Sequence, residues 1–264
     1  MQSNRVIVLK FGSSVLSGEK DLPRVVNEIQ TWWRKGHRVA AIVSAFGNTT
    51  DELTSCAHRV CSEPDEVLLA SLLATGETAS STLLGLALKQ AGIPMTVLNA
   101  EQAALRTLGP TLDSEPVSLD TARINGALRE SVVVLPGFVG RGRHGETTLL
   151  GRGGSDLTAL FLAHQLHCHC RLVKDVDGLY TADPNAITGK HAKRFAQISY
   201  VTARKIGGDV VQLKTIDFAE RHGLSFTVSN VGSTGITEVG PFQDYLEIDE
   251  IVLFNEAEAE ERVA

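Results

Sequence analysis

The chain has 264 residues, 43% of them hydrophobic, and a formal net charge of −6. A chain of this length can bury a substantial core, the apolar share excludes a disordered polymer, and the acidic balance excludes general nucleic-acid binding, which needs a basic face. No stretch reaches the roughly 18 continuous apolar residues of a membrane span. The start, Met1-Gln-Ser-Asn-Arg5, lacks the apolar region of a signal peptide, and the cysteines (Cys56, Cys61, Cys168, Cys170) are too sparse for a disulfide scaffold. The expectation is a cytoplasmic protein with neither membrane nor nucleic-acid partner.

In chain order, Arg5–Phe11 is an apolar strand. Asp21–Arg34 carries helical spacing, with Leu22, Val25, Val26, Ile29 and Trp33 on one side. Arg38–Val43 is a second buried strand, Thr50–Val60 and Asp65–Gln90 are helices, and Pro94–Leu98 is a third strand. Residues 104–118, turning at Gly109-Pro110, form a hairpin, followed by a helix at Asp120–Glu130 and a strand at Val132–Pro136. A helix at Asp156–Leu166 precedes a strand at Arg171–Val176; helices at Val201–Ile206 and Leu213–Arg221 and a strand at Ser225–Ser229 complete the series. Alternating strands and helices predict an α/β fold with a mostly parallel sheet covered on both faces. The acidic end, Glu256–Ala264, reads as a frayed tail.

The glycine-rich run Gly151-Arg-Gly-Gly-Ser-Asp156 enters a helix, capped by Ser155 or Asp156. Uncovered backbone N–H groups at a helix N-terminus attract anions, and the Arg152 fork grips carboxylate or phosphate with two parallel bonds. Lys10 ends the first strand before a tight turn, the place where parallel sheets bind ligands. Ser44 and Thr50 flank the turn after the second strand and offer hydroxyls to an acidic group. Gly76 interrupts a long helix at a cost of about 1 kcal/mol against alanine, which predicts a kink or close approach, and its neighbour Glu77 suits an ammonium group. Beyond the later strand, Asp175 to Pro184 is a polar turn whose Tyr180 can stack on a base or ribose.

Three apparent motifs carry no chemistry. Gly140-Arg-Gly-Arg-His-Gly145 matches a dinucleotide fingerprint but leads into a strand-like run, so it is a hairpin turn. Gly12 to Lys20 is too widely spaced for a P-loop, and Asp21 stands where that motif has Ser or Thr. His167-Cys-His-Cys170 would place its cysteines and histidines on opposite faces of a strand, so no metal-ligating set is assigned.

Taken together, the segments resemble the aspartate kinase catalytic domain of the amino acid kinase family, in order from about Arg5 to Asn230. The carriers are Gly151 to Asp156, Asp175 to Pro184, Lys10-Phe-Gly12, and Val43-Ser-Ala45 with Thr49-Thr-Asp51. The resemblance implies a three-layer α/β/α sandwich spanning 1–235, with an acceptor lobe to about 135, a nucleotide lobe after it, and an extension from 236 to 264. It implies transfer of the γ-phosphoryl of ATP, with Mg²⁺, to the side-chain carboxylate of L-aspartate, in a homodimer. Lys10, Asp156 and Lys214 are then the catalytic set. Ser44, Thr50, Glu77, Arg152, Gly153 and Ser155 bind the acidic amino acid. Lys10, Gly12, Ser13, Ser14, Lys174, Asp175, Tyr180 and Asp183 bind the nucleotide. Lys214 is named as a second phosphate lysine from the Gly207-Gly208 pair upstream of it. The altered lysine segment from Gly207 to Lys214 keeps open another small acidic acceptor, and the departures at Ser13, Asn185 and Asp209 keep open a non-catalytic nucleotide sensor. Aspartate kinases continue into ACT regulatory domains; no room for a pair of them follows Asn230, so feedback through such domains is not expected.

Overall fold

A computed structural model describes residues 6–183, 192–206, 208 and 210–247. The nine-stranded sheet at its centre is built outward from β1 (Val6–Phe11). On one side β1 pairs in parallel with β2 (Arg38–Val43), then β6 (Val132–Pro136) and β3 (Met95–Val97). On the other it pairs in parallel with β9 (His169–Lys174), then β11 (Phe226–Asn230). β12 (Ile236–Gly240) runs antiparallel to β11, and β10 (Phe195–Ser199) and β13 (Tyr245–Leu246) follow toward the edge.

The parallel strands at the centre of this sheet are mostly apolar, as a sheet buried on both faces requires, with Lys10 and Lys174 as charged exceptions at their carboxyl ends. Period-two alternation sorts their side chains into two cores. Val6, Val8, Ala40, Ile42, Cys170 and Leu172 face one core, with helix α5 (Gly154–Leu166) and α7 (Leu213–Arg221). Ile7, Leu9, Phe11, Val39, Ala41 and Val43 face the other, against α1 (Leu22–Arg34). Helix α3 (Glu66–Gln90) serves both: Ala70 and Leu73 join the first core, Leu84 and Leu88 the second. Its length and apolar composition would suit a membrane span. Here it packs against β3, β6 and α1 and buries Glu77, Ser80 and Ser81, as the core helix of a globular fold does.

The predicted α/β/α sandwich is observed. The segment expected as a hairpin is β4 (Arg106–Leu108) and β5 (Glu115–Ser118), antiparallel in a second, four-stranded sheet with β7 (Val139–Arg141) and β8 (Thr147–Leu149). The rejected Gly140–Gly145 fingerprint turns between β7 and β8 and meets no helix. The expectations had no strands at 195–199, 236–240 or 245–246, so the chain set apart from 236 onward enters the central sheet through β12 and β13. The acidic tail, Asn185 and Asp209 lie outside the described residues.

Candidate functional site

Alternation along β1 places Lys10 on the face of Val6 and Val8, toward α5. Alternation along β9 does the same for Lys174, beyond Cys170 and Leu172. The two strands are neighbours, with Lys10 opposite Leu172, so both ammonium groups emerge at the carboxyl end of the sheet on one face. Asp156, in the first turn of α5, meets them there. Lys10 Nζ stands 2.7 Å from its Oδ1, and Lys174 Nζ donates to Oδ2 at 2.7 Å. Lys10 is 5% exposed and Asp156 3%. Burial pushes the Asp156 carboxyl up, yet the two ammonium groups outweigh it and hold the pKa at about 2. Burial holds Lys174 below its ordinary value.

Glycines make the approach possible. A Cβ on Gly12 would stand 3.0 Å from Lys10 Nζ, so a side chain there would press on the ammonium. The Gly12 carbonyl accepts from the N–H groups of Val15 and Leu16, folding a tight turn with Ser13 and Ser14 exposed at its corner. In the 151–154 run, Gly151 and Gly153 have φ of 67° and 77°. A Cβ on Gly151 would lie 2.0 Å from Asp113 Oδ1, and one on Gly153 would lie 2.6 Å from Gln212 Cβ. Here the glycines let the β4–β5 hairpin and the start of α7 close on the loop. The cap differs from expectation: Gly153, left-handed, precedes α5, while Ser155 and Asp156 are buried inside its first turn. Asp156 still gains from the helix dipole at that position.

Glu77 is built in the same way. Gly76 lies where a Cβ would come within 3.1 Å of both Ala45 Cβ and Thr49 Cγ2, so α3 presses on the loop between β2 and α2 (Thr49–Val60). This close approach is what the mid-helix glycine predicted. Glu77, 3% exposed, accepts from the Ala45 N–H, and its Oε2 has no hydrogen-bond partner. Burial pushes its carboxyl up to about 8, against the opposing pull of the Ala45 N–H and of Lys10. A buried carboxylate oxygen with nothing to accept from is a place for a donor or a cation.

These groups share one cleft of about 1380 Å³. Its walls include Lys10, Gly12, Ser13, Ser14, Ser44, Thr50 and Glu77 from the first half of the chain. Arg152, Gly153, Ser155, Asp156, Lys174, Asp175, Tyr180 and Asp183 come from the second. Arg152 is exposed at the rim, while Ser44 and Thr50 are half-buried. Lys214 is not brought to the cleft. Its ammonium is held by Asp113 Oδ1 at 2.6 Å and by the carbonyls of Leu150 at 3.0 Å and Ser114 at 3.1 Å, behind the glycine loop. The cation facing Asp156 beside Lys10 is Lys174, which the sequence reading had placed with the nucleotide.

The reading from sequence missed Phe138 and an apolar wall of Leu69, Leu73 and Leu112. The signal for Phe138 was present in Pro136-Gly137, a turn dipeptide. Phe138 has φ of 66°, its N–H donates to Thr158 Oγ1 at 3.1 Å, and a Cβ on Gly137 would lie 2.5 Å from that of Ser155. That turn therefore seats the start of α5. Leu69 and Leu73 were legible only as core residues.

Fold and cleft define an α/β protein with cations gathered at the carboxyl end of a parallel sheet, the place where such folds bind small anionic ligands. The model of the amino acid kinase family matches residues 5–230, and the chain belongs to that family, as an aspartokinase-like catalytic domain. It is 34% identical over 228 residues to an aspartokinase of Bacillus sp. strain MGA3, covering 84% of this chain and 55% of that one. The chain thus spans about half the length of such relatives. It superposes on the aspartate kinase of Synechocystis with a TM-score of 0.79 at 28% identity, over 90% of this chain and 40% of that one. The UMP kinase of Bacillus anthracis shares the fold with a TM-score of 0.65 at 16% identity, over 92% and 99%.

Proposed function

We propose that the chain transfers the γ-phosphoryl group of ATP to the side-chain carboxylate of L-aspartate, giving an acyl phosphate and ADP. One observation carries the reading: two buried ammonium groups on Asp156 and a buried carboxylate with an unpartnered oxygen open into the same cleft. The aspartokinase relatives support the choice of acceptor.

In this reading a carboxylate oxygen of the acceptor forms a bond to the γ-phosphorus. The bond from that phosphorus to the β–γ bridging oxygen breaks, and ADP leaves with the electron pair. An ionised carboxylate has no proton to remove, so no general base is required. This suits Asp156, whose pKa of about 2 makes it a poor base and an anchor for cations instead. Lys10 and Lys174 offset the charge spreading over the phosphoryl oxygens, and the 12–14 turn supplies N–H donors. Ser44, Thr50, Arg152 and Ser155 orient the acceptor carboxylates, and Glu77 receives its ammonium. Asp175, Tyr180 and Asp183 border the nucleotide. Magnesium enters as part of the MgATP substrate, held chiefly by phosphate oxygens. With both oxygens of Asp156 taken by lysines, the chain's own contribution to the phosphate charge is cationic.

A second reading is another small amino acid bearing a carboxylate, with an apolar portion. The wall of Leu69, Leu73 and Leu112 favours it. ADP release measured over a panel of acids, with hydroxylamine present to trap an acyl phosphate as its hydroxamate, separates the two. Hydroxamate formed with aspartate supports the first. ADP release only with bulkier acids supports the second, and nucleotide binding without ADP release from any acid overturns both.

A further inference from the structure

The polar loop from Asp175 to Asp183, one wall of the cleft, is fastened to the chain after it at several points. The Thr181 N–H donates to the Lys193 carbonyl and the Phe195 N–H to the Leu179 carbonyl, both at 2.9 Å, while the Leu179 N–H donates to Thr237 Oγ1 at 2.8 Å. At the centre of this seam is Arg194. Its guanidinium donates to Asp177 Oδ2 at 2.8 Å, and Tyr180 Oη donates to Asp177 Oδ1 at 2.6 Å. The same guanidinium pairs with Glu247, whose own N–H donates to the Arg194 carbonyl at 2.9 Å. Space is reserved for it: a Cβ on Gly235 would lie 1.6 Å from Arg194 Nη1, and one on Gly178 would lie 2.6 Å from its Cδ. A continuous chain of polar contacts thus runs from Tyr180 in the cleft, through Asp177 and Arg194, to Glu247 just beyond β13.

We propose that Arg194 is a positioning residue for the nucleotide side of the cleft, and that its pairing with Glu247 couples the C-terminal segment to nucleotide affinity. Arg194 itself does not line the cleft; it acts by fixing the carboxylate of Asp177, which in turn fixes the Tyr180 ring. When Glu247 is drawn away, the guanidinium loses one of its two carboxylate partners and the loop loses part of its hold. Anything that engages the C-terminal segment therefore acts on nucleotide binding first and on acceptor binding little. The inference rests on the reading that ATP lies along this loop.

The test uses the full chain and two readouts, calorimetric ADP binding and the separate KM values for ATP and acceptor. Arg194→Ala is expected to weaken ADP about tenfold, the scale of a lost charge-assisted hydrogen bond, and to raise the ATP KM by a similar factor. The acceptor KM should stay within about twofold, and Arg194→Lys should restore part of the loss. Glu247→Gln changes a half-exposed side chain and leaves Arg194 in place, so it reports even if Arg194→Ala does not fold; a loss of about two- to threefold in ADP affinity is expected. Unchanged ADP affinity in Glu247→Gln and in folded Arg194 variants overturns the proposal, as does an equal change in both KM values. Wild-type protein that binds no ADP overturns the functional reading itself, and this inference with it.

Discussion

Lys174 donates to Asp156 across 2.7 Å, joining the last residue of a strand to the first turn of the helix before it, and neither group is free to act alone. Asp156 keeps two ammonium groups charged and close in a buried place; without it they would repel each other. Replacing Asp156 with Asn leaves both cations uncompensated and is expected to destabilise the protein by about 3–5 kcal/mol. Urea unfolding at neutral pH measures it. Because the folded pKa is depressed to about 2, the stabilisation is present above the unfolded value of 3.8 and is lost as pH falls toward 2. The wild type should show that acid limb, and Asp156→Asn should show less of it.

Lys10→Ala removes the cation that Asp156 holds and for which Gly12 leaves room. The loss of one such donor is expected to cost about 3 kcal/mol of barrier, or about a hundredfold in rate, with nucleotide binding retained. Steady-state ADP release beside ADP calorimetry checks this. Equal turnover in wild type and variant would remove Lys10 from the chemistry.

Glu77 sets a pH dependence of opposite sign. Its folded pKa, about 8, lies above the unfolded value of 4.5, so between those values the folded protein holds a proton that the unfolded chain releases. Stability of the ligand-free protein should therefore fall as pH rises from about 5 to 8, by an amount on the order of a few kcal/mol. Glu77→Gln should flatten that slope while abolishing acceptor binding. An acceptor ammonium requires the ionised carboxylate, so acceptor binding at pH 7 should release about one proton. Calorimetry in buffers of different ionisation enthalpy would detect it.

Lys214 is expected to behave as a structural tie. Lys214→Met removes the donor to Asp113, Ser114 and Leu150 and should lower stability by about 1–2 kcal/mol, with a smaller loss of turnover than Lys10→Ala. A loss of turnover matching that of Lys10→Ala, at unchanged stability, would contradict this and return Lys214 to the phosphate role.

Gly153→Ala places a methyl 2.6 Å from Gln212 Cβ at a φ of 77°. Strain and collision should together cost about 2 kcal/mol or more and push α7 away from the glycine loop. Thermal unfolding and the acceptor KM should change together.

Most of the sheet was legible because the buried strands are apolar and the helices between them have their own period: β2 and α7 fell within the expected bounds. The strands at 195–199, 236–240 and 245–246 were not. They are short, partly polar, and lie toward an edge, where pairing with distant chain decides structure more than local pattern does. Most of the cleft residues were legible because they stand at a strand end, a glycine turn or a helix start; Glu77, mid-helix, was legible only beside Gly76. Lys214 resembled a phosphate lysine by its place after a glycine pair, but spacing says nothing of the Asp113 carboxylate waiting 101 residues upstream in sequence.

By itself the sequence determined which face each residue takes. Alternation sends Lys10 and Lys174 to one side of the sheet, and glycine at 12, 76, 151 and 153 marks where backbone or cation must come close. Only the tertiary structure decided who meets whom: that one carboxylate holds both lysines, that Glu77 keeps an oxygen unpaired, and that Lys214 is spent on a hairpin. Periodicity is a property of neighbours along the chain, whereas charge pairing and burial depend on distances between segments that sequence order leaves unset.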